Sequence, residues 1–245
     1  MTYIIDAMSV VYAGYFSALS SKTYSGASGT PYYKRAISHF LPFDKQSPTY
    51  VCWEGMKSTA YRKNLNESYK SNRKWDPEIL KAIDAMKSLC EENNYKEISV
   101  DGFEADDTII ALSKCLKSAR IKVGIISRDR DLLQALQKGY ADLQYDPVQK
   151  VYLTPPDYDI VKYKALVGDA SDCIKGVTKV GKKKALKILE GEIKLSESQE
   201  IEYNEALKLI DVEAHPLFNE LYEAIEKNIV KCERVLKLRL PSGDC

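Results

Sequence analysis

The 245-residue sequence has no long hydrophobic run, no surplus of either charge and no paired cysteines. Nothing in it approaches the roughly 18 apolar residues of a membrane span. Asp6 interrupts the one stretch near the start that resembles a signal-peptide core, so the reading is a soluble protein kept in the cytoplasm, with no membrane partner. Its six cysteines, Cys52, Cys90, Cys115, Cys173, Cys232 and Cys245, lack the short paired spacing of a zinc site. They are also too sparse for a disulfide scaffold, which fits a reducing compartment. Only two histidines occur, His39 and His215, neither in a catalytic-looking context. There is no Gly-Lys-Ser/Thr phosphate loop and no Ser or Cys nucleophile motif. What is present is 44% hydrophobic residues over a length that suits one large domain, or one with a small appendage, around a sizeable core. Long disorder is excluded at that apolar fraction.

The net charge of +1 weighs against a nucleic-acid partner only until it is resolved along the chain. Residues 57–74 carry Lys57, Arg62, Lys63, Lys70, Arg73 and Lys74 against Glu67, and residues 160–190 carry eight lysines against Asp169, Asp172 and Glu190, so each stretch is +5. Residues 97–110 hold Glu97, Asp101, Glu104, Asp106 and Asp107 with no base, and residues 191–228 hold ten acids against three lysines. The near-zero total is a cancellation. Basic blocks beside a carboxylate cluster are what holding a polyanion together with divalent cations requires.

The periodicities predict an α/β core. Strands are expected at 3–5, ending at Asp6, and at 49–53, 97–100 and 121–127, with helices over 7–19, 76–93, 104–118 and 131–138. The Ser- and Gly-rich stretch 20–30 reads as a loop. Residues 55–75 are basic and lack an apolar stripe, which predicts a segment that is mobile or arched over the surface. A hairpin is expected over 143–153, and the patterning is helical from Pro155 onward, with a turn at 175–181. This alternation gives a mainly parallel sheet with helices on both faces.

Several acids fall at predicted strand ends or first helical turns: Asp6, Glu54, Glu104, Asp106, Asp107, Asp129 and Asp131. In an open α/β sheet the carboxyl ends of the strands form the ligand crevice, so acids distant in sequence can converge there. Adjacent carboxylates beside a core need compensating cations, and oxygen donors suit Mg²⁺ or Mn²⁺. An acid-rich, nucleophile-poor site flanked by lysines points to metal-activated water attacking a phosphodiester, with two cations sharing the work.

Five blocks then carry a resemblance: Ile4-Ile5-Asp6; Tyr61-Arg62 with Tyr69-Lys70-Ser71-Asn72-Arg73; Gly102-Phe103-Glu104-Ala105-Asp106-Asp107; Ser127-Arg128-Asp129-Arg130-Asp131-Leu132-Leu133-Gln134; and Leu166-Val167-Gly168-Asp169-Ala170-Ser171-Asp172, continuing through Gly176-Val177 to Gly181 and Lys184-Ala185. In that order the chain resembles the bacterial and bacteriophage 5′-nuclease family, the flap endonuclease and 5′–3′ exonuclease group that includes the N-terminal domain of bacterial DNA polymerase I. The resemblance implies a PIN-like nuclease core over 1–154 with a helical arch at about 54–75. It places a helical region at 155–245, whose helix–three-turn–helix duplex-binding motif lies at about 160–190 and whose later helices pack on the core.

It implies two divalent metals, one among Asp6, Glu54, Glu104, Asp106 and Asp107, the other among Asp129, Asp131, Asp169 and Asp172. Lys70 and Arg73 would stabilise the scissile phosphate, making them catalytic with Asp6, Asp106 and Asp129. DNA contacts are implied for Arg62, Tyr69, Lys70, Arg73, Lys175, Gly176, Val177, Lys179, Gly181, Lys182, Lys183 and Lys184, with K⁺ in the turn. The implied substrate is DNA with a 5′ flap, nick or free 5′ end, cut by a monomer with a replicative or repair DNA polymerase as candidate partner. A PIN-type ribonuclease and a non-catalytic branched-DNA-binding module are the alternatives. Four positions depart from the pattern: Glu54 stands for the usual Asp, Ala13 for Arg, Cys173 for Asn and Lys175 for Pro.

Overall fold

The computed structural model describes residues 1–20, 30–42, 46–74, 76–229 and 235–238. The expected loop at 20–30 lies almost wholly outside them. Seven strands form one sheet: β1 (Thr2–Asp6), β2 (Thr49–Trp53), β3 (Lys96–Val100), β4 (Val123–Ile126), β5 (Leu143–Asp146), β6 (Val151–Leu153) and β9 (Val235–Leu238), in the order β6-β5-β4-β1-β2-β3-β9. Every pairing is parallel except the β5–β6 hairpin, where Asp146 Oδ1 accepts from the amides of Val148 and Gln149. A two-stranded ribbon, β7 (Gly168–Asp169) and β8 (Ile174–Lys175), lies apart. The expectation of helix alone after Pro155 is corrected by β9, which returns the chain to the sheet edge beside β3.

Alternation along the strands splits the core between two faces. Ile4, Tyr50, Cys52, Ile98 and Ile125 meet α5 (Ala105–Ser118) and α10 (Phe218–Ile229) through Ile109, Leu112, Phe218 and Leu221. Their neighbours Ile5, Val51 and Ile126 point the other way, to α1 (Ala7–Ser20), α2 (Thr30–Ser38) and α4 (Ile79–Glu92), through Val10, Val11, Ile37, Met86 and Leu89. Burying each such side chain contributes roughly 1.5–3 kcal/mol. Helix α4 starts three residues after the expected Asp76, because the Asp76 carboxylate caps a turn at Glu78 N (3.0 Å) and accepts from Tyr15 Oη (2.5 Å). The helix expected at 131–138 begins as a 3₁₀ turn (Arg130–Leu132) and continues as α6 (Leu133–Gln137).

The remaining elements sit beside the sheet. Helices α7 (Ile160–Val167), α8 (Lys182–Leu189) and α9 (Glu197–Ile210) share small clusters such as Leu166, Val177, Val180 and Ala185. α9 therefore packs on the α7–α8 pair, while α10 packs on the sheet core. Gly176 is required where the turn after β8 crosses α7: a Cβ there would lie 2.3 Å from the Val167 carbonyl carbon.

Residues 54–74 do not stand away from the surface. They form α3 (Ala60–Leu65) and a series of turns fastened by polar groups. Arg62 is 3% exposed and Tyr69 is 3% exposed. The amide of Lys70 donates to Asp172 O (3.0 Å), Asn66 Nδ2 to Cys173 O (3.2 Å) and Asn72 Nδ2 to Ser171 O (3.2 Å). An amphipathic pattern cannot reveal a segment anchored by one buried arginine, one buried tyrosine and backbone bonds.

Candidate active site

The sheet order brings the acids together. β1 lies between β2 and β4, with Asp6 opposite Cys52 and Ile5 opposite Ile126. Asp6, Glu54 just beyond β2 and the Ser127–Asp129 turn just beyond β4 therefore share the carboxyl edge, at the point where the strand order reverses. Gly55 allows the chain after Glu54 to pass against β3, since a Cβ would collide with Val100 O at 1.8 Å. α5 begins at the same edge and supplies Glu104, Asp106 and Asp107. From the helical side come Asp169 and Asp172, on and after β7, and Lys164 in α7. Glu104, Asp106, Asp131, Asp169, Asp172 and Gln134 line one small cavity of about 30 Å³.

Five of these acids already hold protein cations. Asp107, fully buried, takes a two-pronged contact from Arg62 (2.9 and 2.7 Å) and caps α5 by accepting from Glu104 N (2.9 Å). Glu104 accepts from Arg62 (2.7 Å), Tyr69 Oη (2.8 Å) and Lys70 Nζ. Arg73 donates to Asp172 (2.8 Å), and Lys164 Nζ lies between Asp131 and Asp169, 2.6 Å from the latter. The Lys164 pairing and its Ser171 bonds hold the Asp169 carboxyl below the usual range, burial opposing them.

The other four, Asp6, Glu54, Asp106 and Asp129, have no ion-pair partner among the described residues. Burial pushes Asp6 up to about 6, with the Asp129 charge adding to it and hydrogen bonds from Ser9 N (3.1 Å) and Ser127 Oγ (2.8 Å) opposing. Glu54 is pushed up to about 7 by desolvation and by Glu104, although it accepts from Ala105 N at the start of α5 (3.2 Å). Asp106 is held well above its ordinary value by burial and by the Asp129 and Asp6 charges, Lys70 partly offsetting them. Asp131, despite Lys164, is raised to about 6 by burial and Asp129.

Among the described residues no group of three or more His, Cys, Asp or Glu side chains is arranged so that it could hold a metal ion as it stands. The four uncompensated acids are an oxygen-only donor set that lacks positive charge, the chemistry that suits hard divalent cations keeping part of their water shell. Asp6, Glu54, Asp106 and Asp129 of the implied ligand sets reach this edge without a protein cation, whereas the oxygens of Asp107 are taken by Arg62 and the α5 cap.

Three of the residues implied as DNA contacts are buried in this structure. Arg62 and Tyr69 are buried against Glu104, so they hold the segment down and face no ligand. Val177 is also buried, and its amide donates to Leu166 O (2.9 Å). Ala13 is buried in α1, so no phosphate contact arises there. By contrast Lys175, Lys179, Gly181, Lys182 and Lys183 are exposed and Gly176 and Lys184 partly so. α8 starts at Gly181 without a side-chain cap. Lys70 is largely covered and Arg73 exposed.

Sequence reasoning missed Ser127, Gln144 and Lys164. Ser127 Oγ ties Asp6 to the β4 turn and accepts from Asp129 N (3.0 Å). Gln144 Nε2 donates to the carbonyls of Ser127 (3.1 Å) and Asp129 (2.5 Å). A polar residue at an inward-facing strand position was its available signal. For Lys164 the signal was its place one helical turn before the Asp169 block. His215 is buried, its ring tilted against those of Tyr61 and Phe103 with centroids 4.3 and 4.5 Å away.

With this geometry stands a match of residues 1–163 to the model of the 5′-3′ exonuclease N-terminal resolvase-like domain. The chain belongs to the 5′-3′ exonuclease family. The 5′-3′ exonuclease of Bacillus subtilis is 30% identical over 212 residues, covering 76% of this chain and 68% of that protein. DNA polymerase I of Synechocystis is 32% identical over 169 residues, covering 61% of this chain but only 16% of the polymerase. The chain thus spans about a sixth of that polymerase's length. In fold it is similar to the bacteriophage T5 D15 flap endonuclease solved as a pseudo-enzyme–product complex with DNA and metal ions. The TM-score is 0.71 at 17% identity, covering 94% of this chain and 98% of that one. The T5 D15 protein co-crystallised with metal ions gives 0.69 at 16% identity, with the same coverage. The α/β sheet and its helices are those of this 5′-nuclease fold.

Proposed function

We propose that the protein is a divalent-metal-dependent 5′ nuclease that hydrolyses phosphodiesters of DNA bearing a 5′ flap, nick or free 5′ end. The observation that carries this reading is the uncompensated quartet of Asp6, Glu54, Asp106 and Asp129 at the switch point of the sheet, beside a basic segment and within a 5′-3′ exonuclease family member. Asp6, Glu54 and Asp106, with help from Glu104, would hold one Mg²⁺ or Mn²⁺; Asp129, Asp131, Asp169 and Asp172 would hold a second. Bound there, the pair supplies an activated water and stabilises the leaving oxygen.

The chain's own groups do the rest. Lys70 and Arg73, on the segment that covers the acids, bind the scissile phosphate and stabilise its developing charge. Their pairing with Glu104 and Asp172 keeps both cations over the acids until a phosphate takes their place. Ser127 and Gln144 hold Asp6 and Asp129 in register across β1 and β4. Lys179, Lys182, Lys183 and Lys184, with the free amides of the first turn of α8, hold the duplex by its phosphates without reading sequence.

A 5′-labelled flap DNA incubated with Mg²⁺ is expected to be cut near the junction. Asp129→Asn is expected to bind the flap while failing to cut it. An intact substrate at high enzyme concentration refutes the nuclease reading, and equal turnover by Asp129→Asn removes that residue from the site. Lys70→Ala is expected to lower the single-turnover rate more than the affinity.

A further inference from the structure

The turn between β8 and α8, which the proposed function gives to duplex DNA, is held from outside by α9. Thr178, exposed at the centre of that turn, has every polar group occupied by this one helix. Its amide donates to Glu202 Oε2 (2.6 Å), its hydroxyl to Glu202 Oε1 (2.9 Å), and its carbonyl accepts from Gln199 Nε2 (2.8 Å). Gln199 is itself fixed, since its Oε1 accepts from Ser196 N (3.2 Å) in the capping box that starts α9. α9 in turn is anchored by Ala206 and Leu209 against Ala165 and Ile174. The next residue, Lys179, is left-handed at φ 61°, a conformation an unsupported lysine does not favour.

The second observation is a charge in the wrong place. Glu202 puts a carboxylate beside a turn flanked by Lys175, Lys179 and Lys182, yet among the described residues it forms no ion pair and spends both oxygens on Thr178. An acid next to a phosphate-binding turn weakens binding by repulsion unless it does something that outweighs it.

We infer that Gln199 and Glu202 are positioning residues for duplex DNA: α9 braces the turn in its DNA-holding shape. The inference rests on the proposed duplex-binding role of the turn. It gives the acidic segment after residue 190, which lies beyond the matched motifs, a part in substrate binding.

Affinity for a fluorescent 5′-flap duplex, measured by anisotropy in EDTA so that nothing is cut, tests this. Gln199→Ala/Glu202→Ala is expected to weaken binding about tenfold, as the loss of three ordered hydrogen bonds implies. Hydrogen exchange at Thr178 and Lys179 should quicken, with a small fall in melting temperature because Gln199 also closes the capping box of α9. Glu202→Leu separates bracing from simple charge, because it removes the two bonds together with the carboxylate: bracing predicts weaker binding, whereas repulsion alone predicts tighter binding.

Tighter binding by Glu202→Leu or unchanged binding by the double variant overturns the inference. Lys182→Ala/Lys183→Ala separates the two layers of the argument. If that variant binds as well as wild type, the duplex-binding role of the turn fails. If it weakens while the α9 variants do not, that role stands and the brace is wrong.

Discussion

Along the cleft, Glu104, Asp107, Asp131, Asp169 and Asp172 each touch a lysine or arginine, whereas Asp6, Glu54, Asp106 and Asp129 face chiefly one another. The same residue type at the same edge of one sheet therefore serves two ends. The paired acids hold elements in place: Arg62 pins α3 to α5, and Lys164 joins α7 to the 3₁₀ turn. Of the unpaired acids, the buried Asp6, Glu54 and Asp106 carry an electrostatic cost that an external cation relieves. The bases beside each acid thus indicate which carboxylates can take a metal outright and which must first exchange a protein cation for it.

The comparison is most directly broken at Arg62. Arg62→Met leaves Asp107 buried without its cation, Glu104 keeping Lys70 and Tyr69, and removing one side of a buried pair costs about 3–5 kcal/mol. Urea denaturation should show that loss, and Arg62→Met/Asp107→Leu should recover much of it, because both charges are then gone. Asp106→Asn is expected to do the opposite in the absence of metal. It removes a charge that burial and its neighbours oppose, so the EDTA-treated protein should become more stable while Mn²⁺ binding is lost. Equal destabilisation by both variants would erase the distinction between the two sets.

A smaller, pH-dependent effect follows from the buried acids. Asp6 and Glu54 of the unpaired set, and Asp131 despite its Lys164 partner, have folded values raised above those of the unfolded chain. The folded protein therefore binds their protons more tightly, and the associated stability is present on the acid side and lost as pH rises through about 6 to 7. Asp6 alone, moved from 3.8 to about 6, corresponds to about 3 kcal/mol. Asp169 and Glu213 are lowered, so their contribution is lost as pH falls below the ordinary carboxylate range. In EDTA, melting temperature should peak near pH 5 and fall toward pH 7.5; Mg²⁺ should flatten the upper limb. A metal-free profile rising from pH 5 to 7.5 would contradict the charge assignment.

Lys164 sharpens the comparison from the paired side. Lys164→Met leaves Asp131 and Asp169 without a counter-ion. That converts them to the unpaired kind, and Mn²⁺ affinity measured by electron paramagnetic resonance should rise about fivefold, roughly 1 kcal/mol. Weaker binding would mean that Lys164 orients these acids toward the metal and does not compete with it.

The strand and helix alternation was legible because each strand shows β-branched or aromatic residues between turn signals, and the ends of β1 and β2 were found to within a residue. The acids were legible because they interrupt apolar runs. Arg62 and Tyr69 were not, since nothing in a basic, aperiodic stretch distinguishes a lysine facing solvent from an arginine folded under the chain. Their partners lie 35 to 45 positions away. β9 was missed because its neighbour β3 (Lys96–Val100) is far from it in the sequence, leaving no local sign that a strand pairs there. The division of the acids into two sets was equally hidden, because it depends on which bases the fold delivers.

The smallest expected effect concerns Cys173, in the loop that fastens the covering segment to the acids. Its carbonyl accepts from Asn66 Nδ2, and its φ is 58°, in the left-handed region. L-residues pay roughly 1–2 kcal/mol for that conformation, asparagine less than most, which accounts physically for the Asn that the family resemblance places there. Cys173→Asn keeps the backbone bonds from Asn66 and relieves that cost, so stability should rise by about 0.5–1 kcal/mol in urea, with cleavage unchanged. The same substitution at a residue with ordinary φ in the neighbouring turn, Ser171, should bring no gain. If Cys173→Asn instead lowers stability, the thiol contributes packing that outweighs the backbone term, and the loop is held by its side chain as well as by its carbonyl.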